Sequence, residues 1–342
     1  MKKRRINLAL QGGGAHGAFT WGVLDRLLEE PEIEIAAISG TSAGALNAAA
    51  LKAGYVRGGR EGARENLDWF WGAVDRADDI EVKNWFTFWP EVMLRTFRAF
   101  TPSAVLDGFS HVVSPYDYGP FYSDPLRKIA ENLHFGHVCS PEGPALFVSA
   151  TNVRTGKIRI FSGNDVTVDA LMASACLPTV FRAVEIDDPA TGRREAYWDG
   201  GYAGNPALFP LYDPALPQDV VIVNINPIVR DEVPRSATEI LNRINEVSFN
   251  SSLLSELRAI NFVRRLIADG RIEQHRMKDV FVHMIADDKL MNRLGAETKL
   301  MPTTGLLPEL KAAGRRAAAT FLRQHGDKIN RTSSVDLAAA YS

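Results

Sequence analysis

Apolar residues along the chain alternate between two spacings. Ile6 to Leu10 is a short, mainly apolar run between basic residues and glycines, the pattern of a buried strand. The next segment, GAFTWGVLDRLLEE, places Phe19, Val23, Leu24, Leu27 and Leu28 on one helix face. IEIAAISG repeats the strand pattern and ALNAAALKAG the helix pattern, with Gly54 at the expected C-cap. Two such units in succession predict an α/β fold, a mostly parallel central sheet covered by helices on both faces. Further on, ALFVSATNV and KIRIFSG read as a strand pair, VDALMASACLPTVF as a helix stopped before Pro178, and EAYWDGGYAGNP as a strand running into a turn. DVVIVNINP and DVFVHMIA add two strands, separated by a long amphipathic stretch over 236–270. A second amphipathic stretch covers 305–326.

The pattern breaks between Asn66 and Phe121, which hold every tryptophan except Trp21 and Trp198 together with four prolines. It reads as an aromatic-rich helical insertion, 66–121, inside a catalytic core spanning 5–212. An α/β extension over 213–330 is expected to pack on the same sheet, and 331–342, with little to bury, to be a flexible tail.

Composition narrows the function. With 342 residues, 46% of them hydrophobic and 23% charged, the chain can bury a sizeable core. A net charge of −2 gives no general attraction to nucleic acid, and the one dense basic run is Lys2 to Arg5. The apolar stretch behind that run is broken at Gln11 to Gly14 before a signal-peptide core forms, and no apolar window approaches the ~20 residues of a spanning helix. A cytoplasmic protein, at most peripheral at a membrane surface, is expected; Cys139 and Cys176 alone make no disulfide framework.

The strongest chemical signal is GTSAG, Gly40 to Gly44, a G-x-S-x-G between a strand and a helix. A nucleophile elbow needs small residues around its serine, because the turn crowds the backbone and leaves Oγ exposed; Ser42 holds that place. The loop QGGGAHG admits two readings. Gly12, Gly14 and Gly17 spell the dinucleotide fingerprint G-x-G-x-x-G, but the second strand ends in Ser42 where an acidic residue for the ribose belongs. Consecutive Gly12, Gly13 and Gly14 instead suit an oxyanion hole built of backbone N–H groups. For a base, Asp199 in WDGG ends a strand-like run, and burial beside Ser42 would raise a proton affinity that is too low in water.

In these motifs and their order the sequence resembles the patatin-like phospholipases: a glycine-rich oxyanion loop, G-x-S-x-G, and a distant D-G-G whose aspartate completes a Ser-Asp dyad. ASACLPTVF, Ala173 to Phe181, and Asn205-Pro206 extend the likeness over about the first two thirds of the chain. The resemblance implies a patatin-like fold and a serine lipid acyl hydrolase of the phospholipase A or lysophospholipase type. It would use Ser42 and Asp199, oxyanion donors Gly12, Gly13 and Gly14, no cofactor and no metal, and a phospholipid or other lipid ester as partner. His16, Pro178 and Phe181 are expected at the substrate. Many members carry arginine or lysine where this chain has His16, and an acidic residue where it has Gln11; His16 is left with three roles, supporting the loop, touching an acyl carbonyl or capping the helix.

Acyl transfer to another alcohol would use the same machinery. A Ser-His-Asp triad would recruit His275 or His283, and a non-catalytic lipid-binding protein could share the fold. A dinucleotide-dependent oxidoreductase ranks last. Ser174 reads as a wall residue and Asp107 as a decoy acid. His134, His137 and Cys139 have metal-like spacing without a fourth ligand. The segment NWFTFWPEVMLRTFRAF, with Trp85 and Trp89, reads equally as an interfacial lid or as a packed helix.

Overall fold

Alternate side chains of the first strand enter two different cores. In β1 (Arg4–Leu10), Ile6, Leu8 and Leu10 join one buried cluster and Ala9 the other. In β7 (Asp219–Val223), Val221 and Val223 join the first while Val220 and Ile222 join the second. A strand buried on both faces needs apolar residues at every position, which is why these runs do not alternate. The computed structural model describes residues 3–76, 115–116, 125–178, 181–230, 232–235, 237–273, 276–294, 297–300 and 305–341.

The sheet adds β2 (Ile33–Gly40), β3 (Ala145–Asn152), β4 (Ile158–Ser162), β5 (Val184–Asp188), β6 (Arg193–Asp199) and β8 (Phe281–Ile285), in the order β5-β6-β3-β2-β1-β7-β8 with β4 also on β3. Strands β3, β2, β1, β7 and β8 run parallel; β4, β6 and β5 are antiparallel additions. This is the mostly parallel α/β sheet the sequence predicts. The edge strand β5, VEIDD, escaped that reading because its charged positions mask its period.

Helices α1 (Gly17–Leu28), α2 (Ala43–Arg76) and α3 (Val168–Ser174) contribute to the first core. The second is covered by α4 (Ala237–Ala268) through Leu253, Leu257 and Ile260. Short α5 (Glu297–Leu300) precedes α6 (Leu306–His325), which returns to the first core with Leu307, Leu310 and Phe321. Gly54 is not the expected stop. Helix α2 runs past it and reverses at Gly58 and Gly59, the latter at φ 62°. Its two arms touch so closely that a Cβ on Gly54 would lie 2.2 Å from the Gly62 carbonyl oxygen. Asn66 Nδ2 donates to Ala50 O at 2.7 Å, and Trp71 Nε1 to Asn47 Oδ1 at 3.0 Å. Residues 66–76, read as the start of an insertion, are therefore the second arm of a core hairpin. The whole segment read as a lid, Trp85 and Trp89 included, lies outside the described residues, as does Asp107.

The tail also departs from expectation. Helix α7 (Leu337–Tyr341) forms there, and Leu337 is buried in the second core, so apolar burial holds a segment expected to be free. Among the described residues no helix is long and apolar enough to cross a membrane.

Candidate active site

Strand register brings the two expected catalytic residues together. Gly40 of β2 pairs with Val148 of β3, and Ala150 of β3 pairs with Asp199 of β6. Ser42, two residues beyond Gly40, is thus level with Asp199 across β3. Ser42 sits between β2 and α2 at φ 53°, a left-handed conformation that costs a non-glycine residue on the order of 1 kcal/mol. Ser174 Oγ accepts the Ser42 N–H at 2.9 Å. The neighbouring Thr41 is tied by its hydroxyl to Gly204 O at 2.7 Å and to Ser149 Oγ at 2.5 Å. Ser174 is thereby more than a wall residue: it holds the Ser42 backbone.

Asp199 is fixed from three sides. Its N–H donates to Cys176 O at 2.7 Å, its carbonyl accepts from Thr151 Oγ1 at 2.8 Å, and Oδ1 accepts from Gly201 N–H at 2.7 Å. Oδ2, completely buried, has no closed hydrogen bond among the described residues. Burial without a cationic partner pushes the carboxyl up to about 7, opposed by the Gly201 amide and the Ser42 hydroxyl, which faces it. An acceptor of that affinity, beside a serine that is 8% exposed, can take a proton at neutral pH.

The glycine loop abuts Ser42: a Cβ on Gly12 would lie 2.6 Å from Ser42 Cβ, so no larger residue fits. The structure removes Gly12 from the expected oxyanion donors, because its N–H already donates to Asn205 Oδ1 at 2.6 Å. The Gly13 and Gly14 amides carry no protein partner among the described residues. Gln11 explains why this position takes an amide. Its Oε1 accepts from the Ile225 and Asn226 N–H groups at 2.9 and 3.0 Å, while Nε2 donates to Asn205 O and Asn250 Oδ1 at 3.3 and 3.2 Å. A carboxylate could make the first pair but not the second.

His16, expected at the substrate, is engaged within the protein. It is buried, and Nε2 bonds Thr298 Oγ1 at 2.8 Å. Burial, then the charges of Lys299 and Arg230, hold it well below the ordinary histidine range, so it supports the loop as a neutral ring. Phe181 is likewise buried, packed on Cys176 with Trp198 beside it, and Pro178 is half-buried on the same segment. The Cys176 carbonyl of that block accepts the Asp199 N–H, so the segment that carries Pro178 and Phe181 holds Asp199 in place.

Of the triad candidates, His283 is fully buried within β8, its Nε2 2.9 Å from Asp219 Oδ1 and its ring against Phe321 of α6, so it is a packed residue. His275 lies outside the described residues. Among those described, no cluster of histidine, cysteine or acidic side chains is arranged to hold a metal. Asn226 and Lys299, which converge with Asn205 on the glycine loop from distant parts of the chain, belong to no motif in the sequence.

The family model for patatin-like phospholipase matches residues 8–212. No curated protein sequence matches the chain. Among solved structures, the crystal structure of VipD from Legionella pneumophila is similar over 99% of this chain and 73% of that one, at 14% identity and a TM-score of 0.40.

Proposed function

The chain belongs to the patatin-like phospholipase family, and from that premise we propose that it hydrolyses lipid acyl esters through a Ser42–Asp199 dyad. Ser42 Oγ attacks the acyl carbonyl carbon while its proton passes to the open Oδ2 of Asp199. The Gly13 and Gly14 N–H groups hold the charge that forms on the carbonyl oxygen. On collapse the ester C–O bond breaks and Asp199 returns the proton to the leaving alcohol. Water then attacks the acyl-serine, gives a proton to Asp199, and releases the fatty acid; the same proton restores the Ser42 hydroxyl. The observation that carries this reading is the strained Ser42 elbow beside a buried, unpaired carboxylate whose proton affinity matches neutral pH.

Phospholipid of the phospholipase A or lysophospholipase kind is the proposed substrate. Ile240, Ile244 and Val247, exposed at helical spacing on α4, form apolar surface with the exposed Val229 and Val233 before it. The same helix carries Phe249 against Gly201, next to Asp199. The exposed apolar face, on the side of α4 opposite Phe249, suits peripheral contact with aggregated lipid.

Fatty-acid release from phospholipid vesicles and from a soluble short-chain ester, with wild type and Ser42→Ala, tests the proposal. Wild-type turnover with Ser42→Ala at background is expected. Turnover retained in the folded variant would reject Ser42 as nucleophile.

A further inference from the structure

A buried polar relay runs from α5 to the glycine loop. Lys299 Nζ donates to Asn226 Oδ1 at 2.9 Å. Asn226, itself fully buried, donates through Nδ2 to Gly12 O at 2.8 Å and to Gln11 Oε1 at 3.1 Å. The Gly12 carbonyl and the Gly13 N–H belong to one peptide group, whose two ends polarise each other. A donor drawing electrons at the carbonyl makes the N–H a stronger donor. We propose that Lys299 is a positioning residue for the oxyanion hole: its ammonium charge, passed through the Asn226 amide to the Gly12 carbonyl, strengthens the Gly13 N–H toward the developing oxyanion. The inference rests on the hydrolase reading above.

Three observations support the charge being effective there. First, α5 is seated directly on the loop, since a Cβ on Gly14 would lie 2.3 Å from the Lys299 carbonyl oxygen. Second, the local acid is shared, and its shortest contacts go elsewhere. Glu246 of α4 gives its short contacts to Arg230, 2.6 and 2.9 Å, accepts Arg243 at 3.3 Å, and stands 3.7 Å from Lys299. Three cations thus share one carboxylate, an excess of positive charge. Third, His16, the remaining titratable group facing Lys299 from the loop, is neutral and adds none.

Burial, with Arg230 adding repulsion, pushes Lys299 down to about 8 against the pull of Glu246. The relay is therefore active below that pH and fades above it. Asp199 must be ionised to act as base, and its affinity of about 7 sets the opposite limb. A narrow bell in kcat/KM follows, rising through about 7 and falling through about 8.

The test is the pH profile of soluble-ester hydrolysis by the full chain as wild type, Lys299→Met and Lys299→Arg, with circular dichroism to check folding. In Lys299→Met, kcat should fall about 10-fold with KM little changed, and the alkaline limb should vanish. In Lys299→Arg, which cannot deprotonate in range, kcat should stay within about 3-fold of wild type while the alkaline limb moves beyond pH ~10. A merely structural lysine would lower both variants alike and leave the limb in place. If Lys299→Met does not fold, Lys299→Arg decides alone: a limb unmoved from about 8 overturns the relay. Wild-type activity with both variants indistinguishable from it overturns the relay and leaves the hydrolase standing. A wild type without turnover, and with Ser42 unreactive, overturns both.

Discussion

Asp199 joins two demands that conflict: a base needs a high proton affinity, and burial supplies it by making the charged form unfavourable. Folding raises this carboxyl from the ordinary aspartate range to about 7. The native state therefore holds the proton more tightly than the unfolded chain. The stability this gives is complete below about pH 4 and is lost as pH rises through 7. Asp199→Asn keeps an oxygen for the Gly201 N–H and cannot ionise. It is expected to be inactive yet more stable than wild type at pH 8, by on the order of 1–3 kcal/mol, with the gain shrinking toward pH 4. Thermal unfolding at several pH values checks this; a shift of the same size at every pH would contradict it. The aspartate was legible as a site residue because D-G-G is local in sequence. The parts that Ser174, Asn205 and Asn226 play there were not, since they act through hydrogen bonds made across more than a hundred residues.

At the scale of elements, the antiparallel edge carries the proposed base. Strand β6 delivers Asp199, and β5 and β4 hold β6 through one buried carboxylate. Asp188 takes a two-pronged contact from Arg159, 2.9 and 2.8 Å, and a hydrogen bond from the Tyr197 hydroxyl. The Arg159 guanidinium, helped by that hydroxyl and the Ala190 amide, outweighs burial and holds Asp188 at about 2. Its folded affinity lies below the unfolded one, so the stabilisation is present above about pH 4 and is lost as pH falls toward 2. Asp188→Asn should cost on the order of 2 kcal/mol at pH 7 and lower activity by loosening the strand beneath Asp199. The deficit should narrow in acid, and a constant deficit in unfolding free energy between pH 7 and pH 3 would contradict the assignment. Elements with an unbroken apolar run, such as β1 and β7, or a clean helical period, such as α1, were readable from sequence. Those whose shape depends on a partner were not: Gly54 looks like a helix stop until the second arm of α2 is laid across it.

For the whole molecule, the family-matched region and the folding unit have different ends. The match stops at residue 212, but β7 follows it and pairs with β1 near the middle of the sheet. Its Val220 to Val223 are fully buried, and Ile225 and Asn226 continue directly into the glycine-loop contacts. A chain ending at Tyr212 would expose the β1 edge, one face of the sheet and the loop that bears the proposed oxyanion donors. It is expected to be insoluble or to lack cooperative unfolding; a soluble, active 1–212 fragment would show that 213–330 is dispensable. The extension was read from sequence as packing on the sheet, yet its part in the site was not. That role depends on where the loop after β7 and α5 come to rest, which no local pattern encodes.

The central claim is that Ser42 is the nucleophile and Asp199 its base. The most direct measurement is labelling of the full chain with a fluorophosphonate at pH 7.5, followed by peptide mapping, for wild type and a folded Asp199→Asn variant. A single adduct on Ser42 in wild type, formed at least about 100-fold more slowly in Asp199→Asn, is the expected result. An adduct on another residue, or equal labelling of both proteins, would contradict the account.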